Sequence, residues 1–180
     1  MVLTYKECIE KYGSDRKFKK ELNEGRIFQQ EKGIYSMNKS CSELEIIVTK
    51  YPRSVFTGES AFYYHSLTDV IPDFYYLATL RTDSRIKDER VKQSYLKTEI
   101  FDSGIIQMQH NNAMINIYSL ERMLIELMRF KNKLPFDYYK EIISSYRNKV
   151  EYMDIMKMEE YANLFRHGDR LMDMIQLEVL

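Results

Sequence analysis

The sequence predicts a mixed α+β protein in two parts: a small N-terminal part, and a larger mixed part with a central sheet and a helical C-terminal half. Three observations predict it. Before residue 40, two short segments of helical period are followed at once by two β-type runs around Glu31-Lys32-Gly33. In the middle, Phe74 to Leu80 is a nearly unbroken aromatic and apolar run of strand length; a strand that is apolar on both sides belongs inside a sheet. From Leu120 onward, apolar residues recur at helical spacing in four successive segments.

A chain of 180 residues with 44% hydrophobic content can build a core, either as one domain or as a small domain attached to a larger one. Lys+Arg and Asp+Glu are equal at 27 each, so the whole molecule has no field that by itself selects nucleic acid or an anionic membrane. The distribution is uneven: residues 1–40 hold nine Lys/Arg against six Asp/Glu. No apolar run approaches the roughly 20 residues needed to span a bilayer, and Met1–Tyr12 lacks the apolar core of a signal peptide. The expectation is a cytoplasmic protein that does not engage the membrane. Cys8 and Cys41 are too few for a structural metal site and read as reduced, packed residues.

In chain order, Tyr5, Cys8, Ile9 and Tyr12 give one apolar face to a short helix that Gly13 can end. Asp15 is a candidate N-cap for a second helix, in which Phe18 and Leu22 share one face while Arg16, Lys17, Lys19 and Lys20 occupy the others. The runs within RIFQQEKGIYS then form a hairpin, with Gly33 supplying the positive φ of a tight turn. Helix, short turn, basic helix, hairpin is the order of a winged helix-turn-helix, here at 1–38. A basic helix is often simply a solvated face. In this position, with Arg26 and Lys32 on the following wing, the same charges stand where phosphate and groove contacts are needed. Only about fourteen residues precede the second helix, so the usual first helix of such a domain is missing or supplied by the rest of the chain.

Met37 to Ser42 is short and polar and reads as the junction to a second domain at 42–180. Ser42 and Glu45 have capping-box spacing for a helix that ends before Pro52. Thr57 is placed to cap a helix from Gly58, which Thr68, Asp69 and Pro72 stop before the Phe74–Leu80 strand. Arg81 to Lys92 is strongly polar. It reads as an exposed loop or short helix, or, more sharply, as a partner surface carrying Arg81, Arg85, Lys87 and Arg90. Tyr95–Phe101, Gly104–His110 and Ala113–Tyr118 read as strands, the last two joined at Asn111-Asn112. Ser119 caps a helix over Leu120–Phe130, Pro135 opens another to about Asn148, and two more cover Met156–Phe165 and Asp169–Glu178.

Signatures of catalysis are missing: there is no Gly-x-Ser-x-Gly, no Gly-rich phosphate loop and no His-Glu-x-x-His. His65, His110 and His167 fall in three different elements, and Asp69 and Asp73 flank a turn, where carboxylates bond local amides. Neither a catalytic residue, a metal ligand nor a cofactor site is expected, and a non-enzymatic role follows.

Together, GRIFQQEKGIYS, VFTGESAFYYHSLTDVIPDFYYLATLR, IYSLERMLIELMRFKNKLPFDYYKEIISSY and EEYANLF resemble the AbiEi family of antitoxins from bacterial type IV toxin–antitoxin and abortive-infection systems. The similarity covers most of the chain, and the second and third motifs are the specific ones. The resemblance implies a winged N-terminal domain that binds and represses its own operon's promoter DNA, and a larger C-terminal domain that carries antitoxin activity. It further implies antagonism of a nucleotidyltransferase-like toxin without a stable complex. By position, Arg16, Lys17, Lys19 and Lys20 would fall on the recognition helix and Arg26 and Lys32 on the wing. Glu121 and Arg122 match the family's Glu-Arg pair, and Glu126 stands where many members have Asp. Two rival readings are a winged-helix regulator with no toxin partner and an enzyme related to the toxin; the latter lacks a Gly-Ser loop followed by Asp-x-Asp.

Overall fold

Thr4 ends the first strand, β1 (Val2–Thr4), and starts the first helix, α1 (Tyr5–Tyr12). Its hydroxyl accepts from the Glu7 amide at 3.3 Å while the Glu7 carboxylate accepts from the Thr4 amide at 2.7 Å, so two of the helix's orphan donors are met reciprocally. Gly13, at φ 79°, ends α1 by donating its amide to the Ile9 carbonyl at 2.8 Å. Two residues later α2 (Asp15–Asn23) begins. Its N-cap is Ser14, not Asp15 as the sequence reading has it: Ser14 is extended and its Oγ accepts the Lys17 amide. Asp15 lies inside the helix because its carboxylate is drawn to the Tyr5 hydroxyl, 2.7 Å away, and to Lys19.

This structure, a computed structural model, describes residues 1–180, which divide into two units: Met1–Arg53 with Gln109–Met114, and Ser54–Met108 with Ile115–Leu180. In the first, β2 (Phe28–Glu31) and β3 (Ile34–Ser36) form the expected hairpin, with Gly33 at φ 80° in its turn. Strand β1, which three residues are too few to signal, adds to the other side of β3, giving an antiparallel sheet of order β1-β3-β2. Helix α3 (Glu43–Lys50), with the Ser42–Glu45 capping box in place, belongs to this unit and packs on β1 and β3. Cys8, Phe18, Ile27 and Tyr35 form its buried core, flanked by Leu3, Ile9, Tyr12 and Leu22. The Phe18 and Tyr35 rings meet edge to face at 4.9 Å.

The second unit is built on a five-stranded mixed sheet. Its strands are β4 (Val55–Phe56), β5 (Tyr75–Leu80), β6 (Val91–Leu96), and all but the turn-proximal ends of β7 (Ile105–His110) and β8 (Ala113–Tyr118), in the order β6-β5-β4-β8-β7. The apolar run after Pro72 is interior, as its two apolar sides require: β5 pairs antiparallel with β4 and parallel with β6. The strand expected at Tyr95–Phe101 is present only at Tyr95 and Leu96. Strand β6 starts earlier, at Val91, and Thr98–Phe101 is a helical turn, α5. An edge strand has one face and one side in water, so VKQSYL is too polar to read as a strand from its composition. Lys92 exploits this, lying 4.1 Å from the centre of the Phe74 ring.

Helices α4 (Gly58–Tyr64), α6 (Leu120–Phe130), α7 (Phe136–Arg147), α8 (Ile155–Asn163) and α9 (Gly168–Glu178) complete the unit. Helix α6 packs against α4, α8 and α9. Its Met123, Leu124, Leu127 and Met128 are buried, each side chain contributing about 1.5–3 kcal/mol by leaving water. Ser119 caps it by accepting the Arg122 amide. Thr57 stands at the N-cap of α4 but makes no capping bond; its hydroxyl faces the Met123 sulfur at 4.0 Å instead, a correction to the sequence reading. No helix is long and apolar enough to cross a membrane.

Candidate nucleic-acid interface

Phe18 and Leu22 decide which way α2 faces. Both point into the core of the first unit, and with about 100° between successive residues the opposite side of the helix carries Arg16, Lys17, Lys20 and Asn23. All four are exposed. Of the basic residues singled out from the sequence, then, three share one solvent face. Arg16 and Lys17 stand in the first turn, where the Ser14 cap fixes the backbone, and neither lies in ion-pair range of a carboxylate.

Lys19 is turned about 100° from Lys20 and lies on the flank. It pairs with Asp15 at 2.7 Å, and that pairing raises its pKa while hydrogen bonds from Lys19 and Tyr5 hold Asp15 below the usual carboxylate range. Lys20 reaches the Glu24 carboxylate at 3.8 Å, a loose and exposed contact of little energetic weight. Lys32 occupies the β2–β3 turn and is exposed. Arg26 differs from all of these. Its Nε and Nη2 form a fork on the two oxygens of Glu21, at 2.6 and 2.8 Å, and Nη2 also meets Glu24. Hydrogen bonding from Arg26 lowers the pKa of Glu21 and keeps the pair charged.

The candidate surface is therefore a helix face with three cations and an asparagine, beside a hairpin with a lysine at its turn. Such groups, where they meet a nucleic acid, donate to phosphate oxygens at any sequence, and arginine and asparagine are the side-chain types that pair bidentately with guanine and adenine edges. The sequence reading missed Asn23, which has no charge to draw attention but sits seven residues, two helical turns, after Arg16. It also missed the Tyr5–Asp15 bond, which ties α1 to α2.

The second basic set lies in the ten-residue connection between β5 and β6. Arg81, Arg85 and Lys87 are exposed there. Arg90 is not part of a presented surface: its Nε and Nη2 clamp the Asp88 carboxylate at 2.8 Å each. Gln93 ties the loop further, accepting the Ile86 amide at 2.8 Å and donating to the Ser84 carbonyl at 3.2 Å.

Elsewhere in the second unit, an apolar groove of about 260 Å³ runs past Phe62, Tyr76, Met123, Leu127 and Phe130. Its buried carboxylate, Glu126, is already engaged by Arg122 at 2.8 Å and Arg129 at 2.5 Å, so it is not poised as a free base. His65 is buried beneath a different contact, its Nε2 2.7 Å from the Tyr118 carbonyl, with burial lowering its pKa. Cys8 is wholly buried and its thiol pKa is raised by that burial, opposite to what a nucleophile needs. No group of three His, Cys, Asp or Glu side chains is close enough to hold a metal ion.

Comparison of the chain with protein-family models and with curated proteins gives no match.

Proposed function

We propose that this chain is an antitoxin of a bacterial type IV, abortive-infection system: a non-enzymatic protein that represses its own operon through promoter DNA and antagonises a nucleotidyltransferase-like toxin without forming a stable complex with it. In this reading the first unit is a winged helix-turn-helix, with α2 as recognition helix and the β2–β3 hairpin as wing. The element order β1-α1-α2-β2-β3 and the sheet order β1-β3-β2 support it. The observation that carries it is the shared outward face of Arg16, Lys17 and Lys20, free of tight carboxylate partners, next to a hairpin with Lys32 at its turn. The antitoxin half rests on the motifs in Val55–Arg81 and Ile117–Tyr146 alone.

DNA binding is tested by fluorescence anisotropy of the full chain on a duplex taken from directly upstream of its own coding sequence. Arg16, Lys17, Lys20 and Lys32 acting as phosphate ligands give a slope of log affinity against log salt of about −3 to −4, at roughly −0.9 per phosphate. Lys17→Ala with Lys20→Ala should reduce that slope by about 2 and weaken binding on every sequence. Unchanged affinity in this double variant would sink the assignment of α2. The antitoxin role is tested by growth rescue, with the neighbouring toxin-like gene expressed alone, with the full chain, or with the double variant. Rescue that survives the double variant separates antagonism from repression; rescue by neither, with soluble protein present, leaves a DNA-binding regulator without a toxin partner.

A further inference from the structure

We propose that Arg26 is a positioning residue, a strut that fixes the angle at which the β2–β3 hairpin leaves α2, and not a ligand of DNA phosphate. The proposal deepens the DNA-binding reading and rests on it.

The chain leaves α2 through two bonds of a helix-ending motif. The Arg26 amide donates to the Glu21 carbonyl at 3.0 Å and the Gly25 amide to the Leu22 carbonyl at 3.2 Å, with Gly25 at φ 68°. In most such endings the outer residue also makes an apolar contact back to the helix. Here the same two residues are joined by the fork of Arg26 on Glu21 instead, so residues 21 and 26 are linked through both backbone and side chain. Glu24 closes on the same guanidinium from the turn. The next residue, Ile27, is anchored in the core, and β2 follows immediately.

Charge argues the same way. Arg26 stands between two carboxylates, so a phosphate approaching it meets a group of net negative charge, whereas Arg16, Lys17 and Lys32 offer uncompensated cations. The lever is long. The four residues of β2 at about 3.3 Å each carry the Lys32 turn roughly 13 Å beyond the strut, so a tilt of about 10–15° displaces Lys32 by roughly 2–3 Å, enough to break a hydrogen bond to phosphate.

The experiment uses the same full chain, duplex and salt series, with Arg26→Ala, Arg26→Lys, Glu21→Gln and the Arg26→Ala/Glu21→Gln pair. A strut predicts that Arg26→Ala and Glu21→Gln each weaken binding by about 3- to 10-fold, with the pair no worse than either alone and the salt slope unchanged. Arg26→Lys should fail to rescue, because an ammonium cannot form the fork. A phosphate ligand predicts the reverse: a slope smaller by about 0.9 in Arg26→Ala, near-normal binding in Arg26→Lys, and tighter binding in Glu21→Gln as the guanidinium is released. That pattern would overturn the proposal while leaving the interface intact. Wild-type chain that shows no salt-dependent DNA binding would instead overturn the interface itself, and the strut with it, before any variant is compared.

Discussion

Replacing Glu126 with alanine would isolate a guanidinium in the core of the second unit, and the cost can be worked out from its surroundings. Arg122 is 0% exposed. Its Nη2 lies 2.8 Å from Glu126 Oε1, the one carboxylate in ion-pair range, but the contact is an ion pair without hydrogen-bond geometry, so Nε, Nη1 and Nη2 all lack a hydrogen-bond acceptor. The faces of the guanidinium are covered by the Tyr118 ring at 5.1 Å and the Phe165 ring at 4.7 Å, which return part of the lost hydration as cation–π attraction. Glu126 also holds Arg129, which is 30% exposed and can turn to water. Removing the carboxylate therefore leaves one buried, uncompensated charge, expected to cost about 3–5 kcal/mol. Replacing the pair together, Arg122→Met with Glu126→Leu, removes both charges at similar volume and should come within about 1 kcal/mol of wild type or exceed it. Urea unfolding gives the readout: with an m value of about 2 kcal/mol per molar, Glu126→Ala lowers the midpoint by roughly 2 M while the double replacement barely moves it. Arg122→Met and Glu126→Leu made singly, with wild type and the pair, close a double-mutant cycle. A Glu126→Ala variant within about 1 kcal/mol of wild type would refute the reasoning, since Arg122 would then be compensated by something other than that carboxylate.

Two further outcomes follow from the same unit. Gly104 lies at φ 81°, and a Cβ there would fall 2.7 Å from Arg122 Cβ and 3.0 Å from its Cγ, so Gly104→Ala combines backbone strain with overpacking and should lose about 2–4 kcal/mol in urea unfolding; a loss under about 0.5 kcal/mol would mean the helix gives way freely at Arg122. Burial holds the pKa of His65 below its ordinary value of about 6.5, against the opposing hydrogen bond to the Tyr118 carbonyl. As pH falls below about 6.5 the unfolded chain takes up a proton that the folded chain refuses, so this residue makes stability decline, by up to about 1.4 kcal/mol per pH unit, until the folded pKa is reached. Above about 6.5 it contributes no slope. Urea midpoints for wild type and His65→Gln across that range should converge on acidification; parallel curves would show that His65 does not titrate differently on folding.

Local elements were legible because their causes are local. Ser42-x-x-Glu45 places hydroxyl and carboxylate within reach of the amides they cap, Gly13 and Gly33 supply left-handed backbone where it is needed, and the period of Leu120–Phe130 identifies its buried stripe. The basic helix of the candidate interface was legible for the same reason. What the sequence could not show is which of its charges are committed. Arg16 and Arg26 are equally basic on paper; only the folded chain brings Glu21 and Glu24 onto Arg26 and leaves Arg16 open.

The sequence alone therefore determined the α+β class, the positions of most helices, the hairpin and the interior strand β5, since capping, glycine φ and apolar period act over a few residues. The tertiary structure decided the rest. It set the addition of β1 beside β3, the pairing of polar β6 with β5, and the burial of Arg122 and Glu126 within an otherwise apolar face. Each of these depends on partners distant in the chain, and a residue's own chemistry does not say whether it will meet water, another strand or an opposite charge.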